Sequence, residues 1–166
     1  MTGEDISDDA VRRNETPAER QDRNWIELLQ ELRVLQTGTQ ILTGFLLALA
    51  FQPAFADLSP AQRSFYLVLI VLSAVSAIVA LAPVALHRIL FRGGAKRTIV
   101  TYGHGALLVA LVIVSLLLVG VVAFVFGVVV DEVASRTAAA VLGGLIVVLW
   151  IAVPIAVRFI RRRGGA

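Results

Sequence analysis

Cysteine is absent from this sequence, which excludes a disulfide framework, a thiolate metal site and a cysteine nucleophile. Charge is scarce too. Asp, Glu, Lys and Arg make up 16% of the 166 residues, against about 25% in soluble domains. Aromatic residues contribute 7%, while apolar residues reach 58%. The scarcity of charge is concentrated in four runs, about residues 34–51, 64–86, 105–130 and 138–157, that contain no Asp, Glu, Lys or Arg. At about 1.5 Å per residue a helix of about 20 residues crosses a hydrocarbon core of about 30 Å, and soluble core helices rarely run so long uncharged. The expected fold class is therefore all-α, an integral membrane four-helix bundle with an N-terminal amphipathic cytoplasmic helix.

What charge there is lies outside these runs and is asymmetric. Residues 1–33 hold nine acids against five arginines, so the formal charge of +3 for the whole chain conceals a basic remainder. Thirteen of the fifteen Lys and Arg residues precede the first run, lie between the second and third, or follow the fourth. Only Arg63 and Arg136 sit in the other two connections. The positive-inside rule then places both termini in the cytoplasm of a cell (plasma) membrane protein. Short basic loops account for the high pI without nucleic-acid binding.

Residues 1–15 are polar and acidic and read as a disordered tail. Thr16-Pro17-Ala18-Glu19 spells a helix start: a capping threonine, proline at the first helical position and a glutamate that can close the capping box. From there Trp25, Leu28, Leu29, Leu32 and Leu35 recur at helical spacing, giving an amphipathic helix over 16–33 that runs into the transmembrane domain, 34–158. Ser59-Pro60-Ala61-Gln62 repeats the capping logic before the second run, and Gly93-Gly94 marks a helix stop after it. Residues 159–166 form a basic cytoplasmic tail. Ala54-Phe55-Ala56 before Asp57 imitates a signal-peptidase site, but the polar leader before it is far longer than a basic n-region.

Several side chains stand out against this apolar background. Gln36, Gln40 and Thr43 share a stripe on span one, beside a small stripe of Thr37, Gly44 and Ala48. A glutamine in hydrocarbon needs a partner, so the stripe is expected to face the bundle and hydrogen-bond across it, or else to line an ion path. Glu27, Glu31, Arg33, His87 and His104 all fall at the cytoplasmic end and form a candidate titratable cluster; as helix-end charges they would instead neutralise carbonyls and contact headgroups. Gly120, Ala123 and Gly127 on span three, and Gly143 and Gly144 on span four, are candidate close-packing positions, with Gly127 and Gly143 expected at similar depth. Ser73, Ser76, Ala77 and Ala80 give span two a small face. Arg88, Arg92, Lys96, Arg97, Arg161, Arg162 and Arg163 are candidate contacts for anionic lipid headgroups. Trp25 reads as an interface anchor, and Pro154 as a bend in span four.

No phosphate-cradling glycine loop, nucleophile elbow or pair of buried carboxylates is present, and two isolated histidines do not make a metal site. No catalytic role, cofactor or metal is expected. Proton-coupled carriers usually hold an ionisable group at membrane depth, and none lies in the four runs.

The stretch RNWIELLQELRVLQTGTQILTGFLLALAF, Arg23 to Phe51, and the segment APVALHRILFR, Ala82 to Arg92, resemble a family of small bacterial four-span membrane proteins with a domain of unknown function. Together they cover about a quarter of the chain, with Ile26 and Leu35 departing from the family pattern, which resembles the chain in span order from Pro17 onward. The resemblance implies the same four-span architecture. Some members carry a sodium/proton antiporter label, and no functional residues come with it. The expected role is a non-enzymatic assembling or scaffolding membrane subunit, with ion or proton transport as the alternative. Its expected partners are the lipid bilayer, a second copy of the chain, or another membrane protein.

Overall fold

The computed structural model describes residues 16–90 and 96–164. Helix α1, Pro17–Leu49, leads through a 3-10 turn, Pro53–Asp57, to α2, Pro60–Leu90. Then come α3, Lys96–Val129, and α4, Glu132–Val147, which continues through a π-turn, Val148–Ala152, into α5, Val153–Gly164. The described residues contain no strand. Four rods, Asp22–Leu49, Pro60–Ile89, Thr101–Val129 and Glu132–Arg161, are long and apolar enough to cross a membrane. The chain is an integral membrane bundle. The acidic tail 1–15 and the Gly93-Gly94 stop lie outside the described residues.

Both helix starts form as their sequences require. At Thr16 the hydroxyl accepts from the Glu19 N–H at 3.3 Å, while the Thr16 N–H donates to the Glu19 carboxylate at 2.8 Å. Ser59 and Gln62 exchange the same pair of bonds at 3.2 and 2.9 Å. Each box satisfies amide donors that a helix start leaves without carbonyl partners.

The amphipathic segment is no separate arm. The buried and half-buried stripe Leu28, Leu32, Leu35, Thr39, Leu42, Leu46, Leu49 alternates steps of four and three from Leu28 to the end of α1, the repeat that keeps one seam facing a partner helix. Leu28 and Leu32 pack with Ala80 of α2 and Leu107 of α3 at the end that bears both termini. Leu46, Tyr66, Leu69, Leu117, Val121 and Phe124 form a second cluster toward the opposite end. Gly103 allows α3 to approach: a Cβ there would stand 2.8 Å from a methyl of Leu28.

The fourth rod packs on α3. Its turn is short, Val130-Asp131, and the Asp131 carboxylate caps α4 by accepting from the Ala134 N–H at 2.7 Å. From Val147 to Arg161 every side chain of the rod whose burial is described is exposed. Pro154 bears on its shape: proline offers no N–H to the Trp150 carbonyl and crowds it. The preceding turn widens to a π-turn, in which the Val153 N–H reaches the Val148 carbonyl.

Candidate functional site

Trp25 of α1 stacks on His87 of α2 at one end of the helix pair, and Leu46 meets Tyr66 near the other. This register brings Thr39 level with Ser73. Thr39, Ser73, Ser76 and Ala110 are buried there, making a waist of small and hydroxylic side chains between the two leucine-rich clusters. Ala77 is half-buried beside them and Ala80 is buried, so the small face of α2 turns inward.

Four hydroxyls at or beside the waist bond within their own helices. Thr39 donates to the Leu35 carbonyl at 2.9 Å, Thr43 to Thr39 at 2.7 Å, Ser73 to Ile70 at 2.8 Å and Ser115 to Leu111 at 2.7 Å. Each of these four hydroxyl protons is spent on its own helix, a frequent arrangement for Ser and Thr in apolar surroundings.

The glutamines differ from the expectation of an inward, cross-bundle stripe. Thr39 occupies the inward seam position, which turns Gln36 and Thr43 to the flank and Gln40 outward, where it is exposed. Neither the Gln36 nor the Gln40 carboxamide hydrogen-bonds any described residue. Together with Thr39, Thr43, Gly44, Leu47 and Ala77 they line a groove of about 350 Å³ between α1 and α2. Across the bundle, a similar groove lies among Ser59, Gln62, Phe65, Phe124, Gly127 and Ser135. Its polar groups are engaged. The Ser135 hydroxyl donates to the Ala123 carbonyl at 2.7 Å and the Gln62 amide to the Gly127 carbonyl at 3.4 Å.

Tyr66 is the buried polar anchor that sequence reading missed. Its hydroxyl donates to the Leu46 carbonyl at 2.8 Å, inside the core. Helix α1 ends just beyond, where the Ala50 N–H turns to the Leu47 and Ala48 carbonyls. The Leu46 oxygen is one of the carbonyls that a helix end leaves over, and in hydrocarbon it needs a donor. Phe55, from the Ala54-Phe55-Ala56 stretch, meets the Tyr66 ring edge-on at 4.9 Å and carries the Arg63 guanidinium over its own face at 5.9 Å.

The five residues of the candidate titratable cluster are not gathered into one buried site. Glu27, Glu31, Arg33 and His104 are exposed, and Glu27 stands 4.0 Å from Arg23 one turn away on the same helix. His87 is half-buried against Trp25, rings 4.9 Å apart and inclined by 16°. Trp25 thus joins α1 to α2. Among the described residues no group of three or more His, Asp or Glu side chains could hold a metal. Outside the spans, the Thr16 hydroxyl and then the Thr16 backbone hold the Glu19 carboxyl below its ordinary range.

The small residues divide. A Cβ on Gly120 would stand 2.5 Å from a methyl of buried Leu69, so that glycine is a contact between α2 and α3. A Cβ on Gly127 would stand 3.3 Å from the Ser135 Cβ. That contact corrects the expected depth of Gly143, which lies eight residues beyond Ser135 and so about 12 Å deeper than Gly127. The cause is the tight turn, which closes the hairpin at once. Gly143 and Gly144 have nothing within 4 Å of an added Cβ, so neither is a packing contact within the chain. Arg88, Arg161 and Arg163 are exposed, while Arg92 and the side chains of Lys96, Arg97 and Arg162 lie outside the described residues.

The profile of a family of unknown function (DUF6328) matches residues 14–154. The chain belongs to this family. The match takes in the capped start of α1, the polar groove and the fourth rod as far as Pro154. No curated protein and no solved structure matches the chain.

Proposed function

We propose that this DUF6328 member is a non-enzymatic assembling or scaffolding subunit of a bacterial plasma membrane, with both termini cytoplasmic. The observation that carries this reading is the outward face of α1. It presents the Gln40 carboxamide, with that of Gln36 at its flank, and neither bonds any described residue; hydrocarbon supplies no partner. A second helix does. The recognition surface is this face together with the exposed side of the amphipathic segment, including Glu27 and Glu31. The cationic groups gathered at the termini-bearing end, Arg88, Arg161 and Arg163 among them, support contact with anionic headgroups at about 1 kcal/mol per side chain.

Affinity capture from native membranes tests the role. A membrane protein held by the full chain, and lost on deletion of residues 17–33, supports it. Capture of nothing beyond the chain itself, with ion flux in reconstituted vesicles, refutes it. The groove lined by Gln36, Thr39, Gln40 and Thr43 favours a second reading, ion or proton transport. H⁺, Na⁺ or K⁺ flux abolished by Gln40→Leu would establish that one. A reporter fused at Ala166 that is active outside the cell would refute the orientation.

A further inference from the structure

Three observations on α1 converge on one face. Gln40 is exposed, within the apolar run that begins at Val34 and ends at Phe51, and its carboxamide bonds no described residue. Gly44 and Ala48 continue from it at steps of four, both exposed, and a Cβ added at Gly44 would meet nothing within 4 Å. Beside this ridge lies the groove of about 350 Å³ walled by Gln36, Thr39, Thr43, Leu47 and Ala77. Thr37, on the same side, makes no demand, because its hydroxyl donates to the Arg33 carbonyl at 2.9 Å. Span four offers a contrast. Its exposed residues from Val141 to Val157 are aliphatic but for Trp150, Pro154 and three small residues, Gly144, Ala152 and Ala156. Such a surface is satisfied by lipid tails.

We propose that the Gln40–Gly44–Ala48 face of α1 is the contact between two copies of this chain. The inference rests on the assembling role above and names its first partner. The chemistry selects a second copy. Two copies inserted by the same rules share one orientation, so α1 packs parallel to its counterpart about a two-fold axis along the membrane normal. Each residue then meets its own equivalent at its own depth. A carboxamide is both donor and acceptor, so Gln40 is complementary to Gln40 of the second copy. Neither Arg nor Glu at that position would have this property. A small residue one turn on, and another a turn beyond, let the two backbones come close, as in small-xxx-small dimers with crossings of about −40°. In that parallel arrangement Ile41, 70% exposed on the far flank, enters the groove of the other copy. The contact satisfies the amides, fills the groove and leaves Thr39 and the seam of α1 undisturbed.

The chain has no cysteine, so single cysteines report the contact directly. The full chain, purified and reconstituted in phosphatidylcholine–phosphatidylglycerol vesicles, is oxidised at several protein-to-lipid ratios. Ala48→Cys is expected to give a disulfide-linked dimer, and Val141→Cys on span four none. Resonance transfer between labelled copies should show Gln40→Leu weakening association about tenfold, the equivalent of two interhelical hydrogen bonds at depth. Gln40→Asn should restore part of it. A Cβ added at Gly44 meets nothing within 4 Å in one copy, so Gly44→Ile should abolish the dimer while the helical spectrum stays unchanged. Monomers at every ratio, equal linking from Val141→Cys, or association indifferent to Gln40→Leu would each overturn the proposal. A chain monomeric in vesicles that still captures another membrane protein overturns the second copy and leaves the assembling role standing. A dimer through Gln40 that conducts ions and captures nothing leaves the contact standing and overturns the role.

Discussion

Tyr66→Phe removes one oxygen atom and little else. The ring contacts remain: Phe55 edge-on at 4.9 Å and Phe124 at 5.9 Å. What disappears is the donor to the Leu46 carbonyl, 2.8 Å away in a core where Tyr66 is 3% and Leu46 0% exposed. A neutral hydrogen bond contributes about 1 kcal/mol net, and a buried acceptor left without a donor costs about 1–3 kcal/mol. Interhelical bonds in membranes run lower, about 0.6 kcal/mol on average and up to about 1.7. Leu46 belongs to the upper part of that range. Its carbonyl sits at a helix end whose own amides have turned to Leu47 and Ala48, so no local substitute exists. The expected loss is about 1–2 kcal/mol, read from reversible unfolding in mixed micelles or by steric trapping in bicelles. Tyr66→Leu should cost more, because the aromatic contacts go as well. A Tyr66→Phe variant within about 0.5 kcal/mol of the parent, the range of a neutral surface change, would refute the reasoning. It would mean that the Leu46 oxygen finds water or another donor.

Two further outcomes follow from single positions. Gly120→Ala forces its methyl against Leu69, a clash of about 1–3 kcal/mol set against a helix-propensity gain of about 1, so the variant should be destabilised by about 1 kcal/mol in the same assay. Gly144→Ala meets nothing within 4 Å and should be neutral or stabilising; the reverse order of the two would sink the packing assignment. Glu19 is held below its ordinary range by Thr16, so its capping contribution is complete above about pH 4.3 and is lost as pH falls through the lowered value. Amide exchange at the start of α1 should accelerate there, and Glu19→Gln should flatten the dependence.

Much of this architecture is legible without coordinates. Uncharged runs of sufficient length dictate the four membrane rods, because an unpaired backbone is intolerable in hydrocarbon and helices pair it locally. Both capping boxes are local chemistry within four residues, and they form as written at Thr16 and Ser59. The alternating seam from Leu28 to Leu49 is also visible in the letters. Followed through, it would have placed Thr39 inward and Gln40 outward, because a seam admits one residue per step.

The sequence alone therefore determined the number of spans, their capped starts, the small face of α2 and the presence of a glutamine pair at depth. Tertiary structure decided what those residues meet. Tyr66 and Leu46 are twenty positions apart, and only the antiparallel register of α1 and α2 sets the hydroxyl against the one carbonyl in need of it. The same register stacks Trp25 on His87 and separates Gly120, which meets Leu69, from Gly144, which meets nothing. A small residue in a helix invites approach from any direction. Which neighbour accepts depends on rotation about the helix axis and on turn length, and these are fixed only when all the rods pack together.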